Sequence, residues 1–404
     1  MSNVKEYFRK KQEDLKALAK RERRAEIWDK YVNNKGSRIR IAVIAGALLI
    51  MMLIGLVVYN NARIYTDYTV PVISARNDTS STKYIKFNGK ILKYSLDGVS
   101  YVDLEDNAIW THTYSMQSPI IDMAETTVAI GEQKGNQIYI YNVKGLIGKI
   151  STASPILKVK VTEQGNVMVV LEDSDKTQIN LYDSSGEEIA GSSASIAQTG
   201  YPLDISITPD SKKTMLSYLS VNTGLMTTKI AFYNYGAVRS SEGLNLVNSI
   251  TYENCCIPEI KFLDNSTAIA FRDNGFSVYK GLQIPDEMVN IEFVDEIQST
   301  FYSSNNIGFV FISSEEEEKY RLEIYNLDGE LVFSEDFRMD YTRITMDENQ
   351  IIIQGDTEWC IYNTKGKLIY SGEFEQPIID IFTHNRIGTY TVIVSNAIME
   401  IKLK

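Results

Sequence analysis

The sequence predicts an all-β fold, a β-propeller of about eight four-stranded blades, with seven blades as the alternative. After residue 82, short β-branched and aromatic runs are separated by turn residues about every 8 to 12 positions. A tyrosine-containing turn element recurs at intervals of about 40 residues, and a set of prolines repeats in a second register. We expect the propeller over residues 83–404, preceded by a cytoplasmic helix and one transmembrane helix.

An uncharged stretch, Ile41 to Tyr59, predicts the transmembrane helix. No charged residue lies between Arg40 and Arg63. A helix rises about 1.5 Å per residue and a bilayer core is about 30 Å thick, so this stretch is long enough to cross it. We place the helix at residues 39–62, with the lipid bilayer around residues 41–59. A cleaved signal peptide is disfavoured because the segment before its apolar core would be 40 residues long.

The charge distribution predicts the orientation of the chain. Residues 1–40 contain 13 Lys and Arg against 6 Asp and Glu, whereas residues 41–404 contain 28 against 46. Basic segments beside a membrane helix stay in the cytoplasm. The sequence therefore predicts a cytoplasmic N-terminus and an extracytoplasmic C-terminal domain. The acidic outer domain also argues against binding of nucleic acid.

Residues 1–38 are the basic cytoplasmic segment, and residues 3–32 within it predict an amphipathic helix. Apolar residues recur at three-, four- and seven-residue steps from Val4 to Val32, and basic residues dominate the polar face. Such a helix would lie on the anionic inner leaflet or pair with a partner helix. The alternative is a solvated segment whose charges only set the orientation.

Residues 63–82 are expected to form a spacer that contains one strand, near Tyr68 to Ile73. The last blade predicted from the repeats is one strand short. Because propellers often close by combining strands from both ends of the chain, this strand is the candidate for closing the ring.

The repeated turn element is an apolar residue followed by Tyr-[Asn/Asp]-x-x-Gly. Its Asn or Asp hydrogen-bonds to the following backbone, and its Gly adopts the left-handed conformation that closes a hairpin with a bulge. Full copies begin at Tyr141, Tyr182, Tyr325 and Tyr362, and shorter copies begin at Tyr233 and Tyr279.

Prolines mark the strand that opens each unit, because proline lacks an N–H and is tolerated at the start of a strand. Those in register are Pro119, Pro155, Pro202, Pro258 and Pro377. Both markers together predict blades that start near Lys83, Pro119, Pro155, Pro202, Pro258, Ile297, Tyr341 and Pro377. The fourth blade is expected to be the longest, with residues 236–257 as an insertion.

Residues 91–115, ILKYSLDGVSYVDLEDNAIWTHTYS, resemble the repeat of the pyrroloquinoline-quinone-type propellers. That superfamily includes quinoprotein alcohol dehydrogenases and non-catalytic assembly scaffolds of the cell envelope. The whole layout is similar to an uncharacterised family of single-pass, membrane-anchored propellers from Gram-positive bacteria. The resemblance implies a location at the plasma membrane of a bacterium and does not imply a reaction.

Charged residues on the predicted innermost strands form the candidate binding site. Innermost strands line the channel of a propeller, so charged residues that follow the repeated prolines would meet around one mouth. The candidates are Asp122, Lys158, Asp204, Lys261 and Asp380. The alternative is that these side chains only solvate the mouth.

No catalytic residue, metal ligand or cofactor is assigned from the sequence. The two histidines, His112 and His384, exclude a multi-histidine metal site. The adjacent Cys255 and Cys256 resemble the pair that forms a ring disulfide in the quinone-dependent dehydrogenases, but no matching calcium-ligand or catalytic aspartate motif accompanies them. The alternative is two small, partly buried residues with no redox role.

The sequence therefore favours a membrane-anchored extracytoplasmic propeller that acts as a protein-interaction or ligand-binding platform in the cell envelope. The expected partner is an envelope protein or a glycan. The alternative is an envelope enzyme, glycan-active or quinone-dependent, with its site at the channel.

Overall fold

The computed structural model describes residues 11, 15–26, 28, 40, 42–52, 55, 64–103, 106–236, 245–347, 350–384 and 386–404. The chain divides into two compact units, Met1–Ile64 and Tyr65–Lys404. In the first unit residues 15–26 and 42–52 are helical. Within the described part of the chain, no helix has both the length and the apolar character that a membrane crossing requires. Residues 11, 28, 40 and 55 are also helical, and the remaining positions of the predicted helices over residues 3–32 and 39–62 lie outside the described residues.

The second unit is a propeller of eight four-stranded antiparallel sheets, which confirms the all-β class and the favoured number of blades. Strand β1 (Tyr68–Ala75) precedes the first blade. Blade one contains β2 (Lys83–Phe87), β3 (Lys90–Tyr94), β4 (Gly98–Val102) and β5 (Ala108–Thr113). Blade two contains β6 (Pro119–Met123), β7 (Thr127–Glu132), β8 (Gln137–Asn142) and β9 (Gly145–Ser151). Blade three contains β10 (Ile156–Val161), β11 (Val167–Glu172), β12 (Lys176–Tyr182) and β13 (Glu188–Ser195).

The remaining blades follow the same order. A short helix, Ile196–Thr199, precedes blade four, which contains β14 (Tyr201–Ile207), β15 (Lys213–Asn222), β16 (Leu225–Asn234) and β17 (Leu246–Glu253). Blade five contains β18 (Glu259–Phe262), β19 (Thr267–Arg272), β20 (Gly275–Lys280) and β21 (Asp286–Glu292). Blade six contains β22 (Ile297–Tyr302), β23 (Asn306–Ile312), β24 (Tyr320–Asn326) and β25 (Leu331–Phe337). Blade seven contains β26 (Arg343–Met346), β27 (Gln350–Gln354), β28 (Glu358–Asn363) and β29 (Leu368–Glu373). Blade eight contains β30 (Ile378–Thr383), β31 (Thr389–Val394), β32 (Ala397–Leu403) and, as its fourth strand, β1.

Strand β1 closes the ring by joining the two ends of the propeller. It pairs antiparallel with β32, so that Tyr68 lies opposite Leu403 and Ala75 lies opposite Ala397. The register shifts between Thr69 and Val72, around Pro71, which cannot donate a hydrogen bond to the ladder. The first and last strands of this unit are therefore neighbours in one sheet.

Apolar side chains from neighbouring blades interlock to form the core. Each of the eight clusters of buried apolar residues joins one pair of adjacent blades. In β27, Ile351 and Ile353 pack toward blade six, whereas Ile352 packs toward blade eight. Successive side chains of a strand point to opposite faces, and both faces of each blade are covered, so second strands such as β11 and β27 contain runs of consecutive apolar residues.

The repeated turn element forms the hairpin between the third and fourth strands of a blade, as predicted. In blade seven the backbone N–H of Lys365 donates to the side chain of Asn363 at 3.0 Å, and the N–H of Gly366 donates to the Asn363 carbonyl at 3.1 Å. Gly366 has a φ of +85°, in the left-handed region that favours glycine. The pairing of β28 with β29 has a bulge beside this turn, where the register shifts between Ile361 and Tyr362. The corresponding hairpins of blades three and six have the same shift.

Blade four corrects one detail of the sequence interpretation. Residues 246–253 are not part of an insertion but form β17, the regular fourth strand, which pairs with β16 along its length. Residues 237–244 lie outside the described residues. Cys255 and Cys256 accordingly occupy the linker between blades four and five.

Candidate functional site

The five charged candidates all lie on the first strands of their blades. Each first strand is an edge strand of its sheet, and β6, β10, β14 and β18 follow one another in contact around the inside of the ring. Asp122, Lys158, Asp204 and Lys261 lie on these four strands, and Asp380 lies on β30. The fold therefore brings the first four together in blades two to five, while Asp380 belongs to blade eight.

Asp122 links blade two to blade three. Its carboxylate accepts a hydrogen bond from the backbone N–H of Val161 at 2.8 Å, and the ammonium of Lys160 lies 3.7 Å from its other oxygen. Val161 is on β10, an edge strand whose outer N–H groups have no ladder partner. The carboxylate thus satisfies a backbone donor that the sheet leaves unpaired.

Asp204 repeats this arrangement between blades four and five. Its buried carboxylate accepts from the backbone N–H of Ile260 at 3.1 Å. Two lysines of blade three face its other oxygen, Lys158 at 3.7 Å and Lys160 at 3.9 Å. Lys160 therefore lies between the carboxylates of Asp122 and Asp204, and one cation holds three consecutive blades together.

Lys261 and Glu259 extend the cluster into blade five. Burial raises the pKa of the Glu259 carboxyl, and the negative charge of Asp204 raises it further. The charges of Lys160 and Lys261 act in the opposite direction on that pKa, together with a hydrogen bond to Thr300. Glu259 is therefore a partly desolvated carboxyl surrounded by both signs of charge.

Asp380 forms a separate pair on the other side of the ring. Asp380 is 4% exposed, and its carboxylate accepts a hydrogen bond from Arg343 of blade seven at 2.5 Å. Burial raises the pKa of Asp380 to about 6, because the effect of burial is larger than the lowering of this pKa by Arg343 and by the backbone N–H of Ile381. This carboxyl therefore titrates in a range where an exposed aspartate is fully ionised.

Inspection of the sequence missed the cations and carboxylates that complete these groups, Lys160, Glu259 and Arg343. A signal was present for the first two, because Lys160 lies two positions after Lys158 and Glu259 two positions before Lys261. Residues two apart share one face of a strand, so each pair faces the same way. Arg343 opens its strand without a preceding proline, and no periodic marker indicates it.

The cysteine pair is placed away from this cluster. Cys255 and Cys256 are both free, Cys255 is buried, and Cys256 is half-buried. Burial raises the pKa of the Cys255 thiol to about 12, and the nearby Asp273 carboxylate contributes to the rise. The thiol is therefore protonated and inert near neutral pH. No group of three or more histidine, cysteine or carboxylate side chains among the described residues is arranged to hold a metal ion.

A groove of about 560 Å³ lies where β1, β32 and the linker from blade seven to blade eight meet, and we name it the blade-eight groove. Its apolar lining includes Tyr68, Ile73, Phe374, Val394, Ala397 and Met399. Its polar lining comprises Glu375, Gln376 and Asn396. Sequence reasoning did not find this groove, because its walls come from both ends of the propeller.

A second, polar pocket of about 450 Å³ lies between the loops of blades four and five. Lys213 is buried in its wall and donates to the backbone carbonyls of Asn265 at 2.5 Å and Leu282 at 2.6 Å. Burial lowers the pKa of this ammonium. Asn234 likewise donates to the carbonyl of Gln283 at 3.0 Å. These polar side chains hold the two blades together, and backbone carbonyls of blade five already accept their hydrogen bonds.

Solved structures share the propeller architecture. One is BamB from Moraxella catarrhalis, with a TM-score of 0.50 and 12% identity, where the match covers 83% of this chain and 100% of that one. Another is a eukaryotic initiation factor, with a TM-score of 0.54 and 11% identity, where it covers 84% of this chain and 87% of that one. At such identities the likeness shows the fold alone. No curated protein matches the sequence significantly.

The family comparison covers nearly the whole propeller. One family model matches residues 60–403, which include every strand described above. The matched region is most of the chain, so the chain belongs to the family of unknown function DUF5711.

Proposed function

We propose that this protein is a single-pass membrane protein that displays its propeller outside a bacterial plasma membrane as a platform for binding another envelope protein. The blade-eight groove is the observation that carries the platform. It is a concave, mostly apolar surface on a ring whose blades are tied together by Asp122, Lys160 and Asp204. A rigid ring with an exposed apolar recess is suited to holding a partner in a fixed orientation.

The proposed anchor rests on the sequence. Ile41 to Tyr59 contains no charged residue, and the segment before it is strongly basic. This combination favours a helix that crosses the membrane with its N-terminus in the cytoplasm. The propeller begins soon after it, since β1 starts at Tyr68.

Topology can be tested by cysteine labelling in intact bacteria. A membrane-impermeant maleimide is expected to label Glu316→Cys, in an exposed loop of blade six, and not Ser2→Cys, each in a chain whose three native cysteines are replaced by serine. Permeabilised cells should show labelling of both variants, which controls for reactivity. Labelling of Ser2→Cys alone in intact cells would refute the proposed orientation.

The platform is tested by cross-linking in the same cells. A tagged full-length chain is cross-linked, and covalent partners are identified by mass spectrometry. Ile73→Asp, at the rim of the groove, is expected to remove a specific cross-linked partner, because it places a charge on the apolar surface. Ile189→Asp is the matched control on the outer strand of blade three, where the side chain is similarly exposed. Equal cross-linking by both variants and the wild type would refute a platform at this groove.

A further inference from the structure

We propose that the blade-eight groove binds an extended segment of its partner in which apolar side chains flank a lysine or arginine. This inference rests on the proposed platform and specifies the chemistry of the partner. The shape of the groove, its charge and the strand that borders it support such a ligand.

The apolar part of the groove has a closed floor and an open rim. Phe374, Val394 and Ala397 are 5%, 2% and 8% exposed and form the floor. Ile73 at the rim is 66% exposed. A volume of about 560 Å³ lies in the range of small-ligand pockets, about 300 to 1,000 Å³. It therefore admits a few inserted side chains and not a whole folded surface.

The charge of the groove is negative and uncompensated. Glu375 is the one charged residue among the described residues that line it. Asp67, which precedes Tyr68 in the chain, pairs with Lys404 at 3.2 Å, whereas no ion pair among the described residues includes Glu375. Burial, followed by the charge of Glu375, raises the pKa of the Tyr68 hydroxyl, as expected if that carboxylate faces the aromatic wall. A cation on the ligand would supply the missing partner.

The surrounding unit favours a basic ligand in the same way. Residues 65–404 contain 27 Lys and Arg against 46 Asp and Glu. An excess of negative charge of this size attracts cations and repels acidic segments over several ångströms at moderate salt. An apolar segment that carries acidic residues is therefore disfavoured at this groove.

The strand beside the groove favours an extended ligand. β1 is the outermost strand of blade eight, and among the described strands it pairs only with β32. Its second edge leaves backbone N–H and C=O groups beside Ile73 and Ala75, two residues of the lining. An extended segment can hydrogen-bond to such an edge while it places alternate side chains in the groove.

The test uses labelled peptides and residues 64–404, whose closed ring of eight interblade cores forms a compact unit by itself. The probes are fluorescein-labelled pentapeptides that alternate leucine with lysine, glutamine or glutamate. Fluorescence anisotropy should show tightest binding of the lysine peptide and weaker binding as sodium chloride is raised. Glu375→Gln should weaken binding of that peptide by about threefold to tenfold and leave the glutamine peptide unchanged. Ile73→Asp, which also removes apolar contact, should weaken binding of the glutamine peptide.

The matched control for the charge is Glu296→Gln. Glu296 is exposed in the linker from blade five to blade six, and Glu375 is exposed in the equivalent linker from blade seven to blade eight. This variant should bind all three peptides as the wild type does. Circular dichroism and the thermal midpoint of each variant establish that the ring is intact.

The outcomes separate this inference from the platform. Equal affinities for the three peptides, or no effect of Glu375→Gln, would overturn the basic ligand. Absence of peptide binding would overturn it too, even if Ile73→Asp still removes a cross-linked partner and so supports the platform. Concentration-dependent dimers that Ile73→Asp abolishes would assign the groove to a second copy of this chain and overturn the inference. Lysine-selective binding without any cross-linked partner would support the ligand chemistry and count against the platform.

Discussion

The carboxylate of Asp204 in blade four accepts a hydrogen bond from the backbone N–H of Ile260 in blade five, 3.1 Å away. The inner strands are edge strands, so their outward N–H groups need partners from outside their own sheets. Asp122 meets the N–H of Val161 in the same way, one blade pair earlier. Two of the five predicted site residues therefore hold the ring together, whatever else they bind.

Replacing Asp204 by alanine should destabilise the propeller by about 2 to 4 kcal/mol. The change leaves the Ile260 N–H without an acceptor and removes a carboxylate that faces Lys158 and Lys160. Chemical denaturation of residues 64–404 measures the loss. Asp286→Ala, at an exposed position, is the control and should change the free energy of unfolding by less than about 0.5 kcal/mol. Equal midpoints for both variants would contradict the structural role.

Asp380 should make the stability of the ring decrease as the pH rises. Burial raises the pKa of its carboxyl from 3.8 to about 6, so between these values the folded state holds a proton that the unfolded chain has released. Relative to Asp380→Asn, which cannot ionise, the wild type should lose up to about 3 kcal/mol between pH 4 and pH 7. Unfolding of both proteins across this range gives the difference. A difference that does not change with pH would show that the folded carboxyl titrates normally.

Cys255 should resist alkylation in the folded protein. The side chain is 3% exposed, and burial raises its thiol pKa to about 12, so little thiolate exists at pH 8. Iodoacetamide at that pH should leave Cys255 unmodified until denaturant is added, as peptide mass spectrometry would show. Rapid labelling of the native protein, or loss of two hydrogens from the peptide with Cys255 and Cys256, would contradict the free, buried thiol.

Removing residues 64–75 should weaken the ring and expose the edge of β32. The deletion removes β1, including its partly buried residues Tyr68 and Val70, which pack on the core between blades seven and eight. We expect a loss of roughly 2 to 3 kcal/mol or more, and self-association through the unpaired edge. Thermal unfolding and light scattering measure both effects. A synthetic peptide of residues 66–76 should restore the midpoint, and a truncated protein that is already as stable as the original would contradict closure by β1.

The blade number and the hairpins could be predicted because their determinants are local. Asn363 and Gly366 specify their turn through contacts within a few residues, and such elements, full or shortened, recur in six of the eight blades. The partners of the inner charges could not be predicted in the same way. Asp122 and Val161 are 39 positions apart, Asp204 and Ile260 are 56 apart, and no repeat shows which side chain faces the next blade.

The blade-eight groove could not be predicted from the sequence, for a related reason. Its walls combine β1 with β32 and with the linker that contains Glu375. Tyr68 and Ile73 were expected in a closing strand, but nothing local shows that the joint leaves a recess beside it. A surface that forms only when the first and last strands of the propeller pair has no local sequence motif that predicts it.

The joint between β1 and β32 also has a consequence for the order of events during translation. The hydroxyl of Thr69 donates to the carbonyl of Lys402, two residues 333 positions apart. The ribosome makes β1 before every other strand of the propeller and β32 after all of them, so these two strands cannot pair until elongation is nearly complete. A polypeptide that ends before Ala397 lacks the strand that pairs with β1 and exposes an unpaired sheet edge to proteases. Incomplete chains are therefore expected to be degraded faster than complete ones.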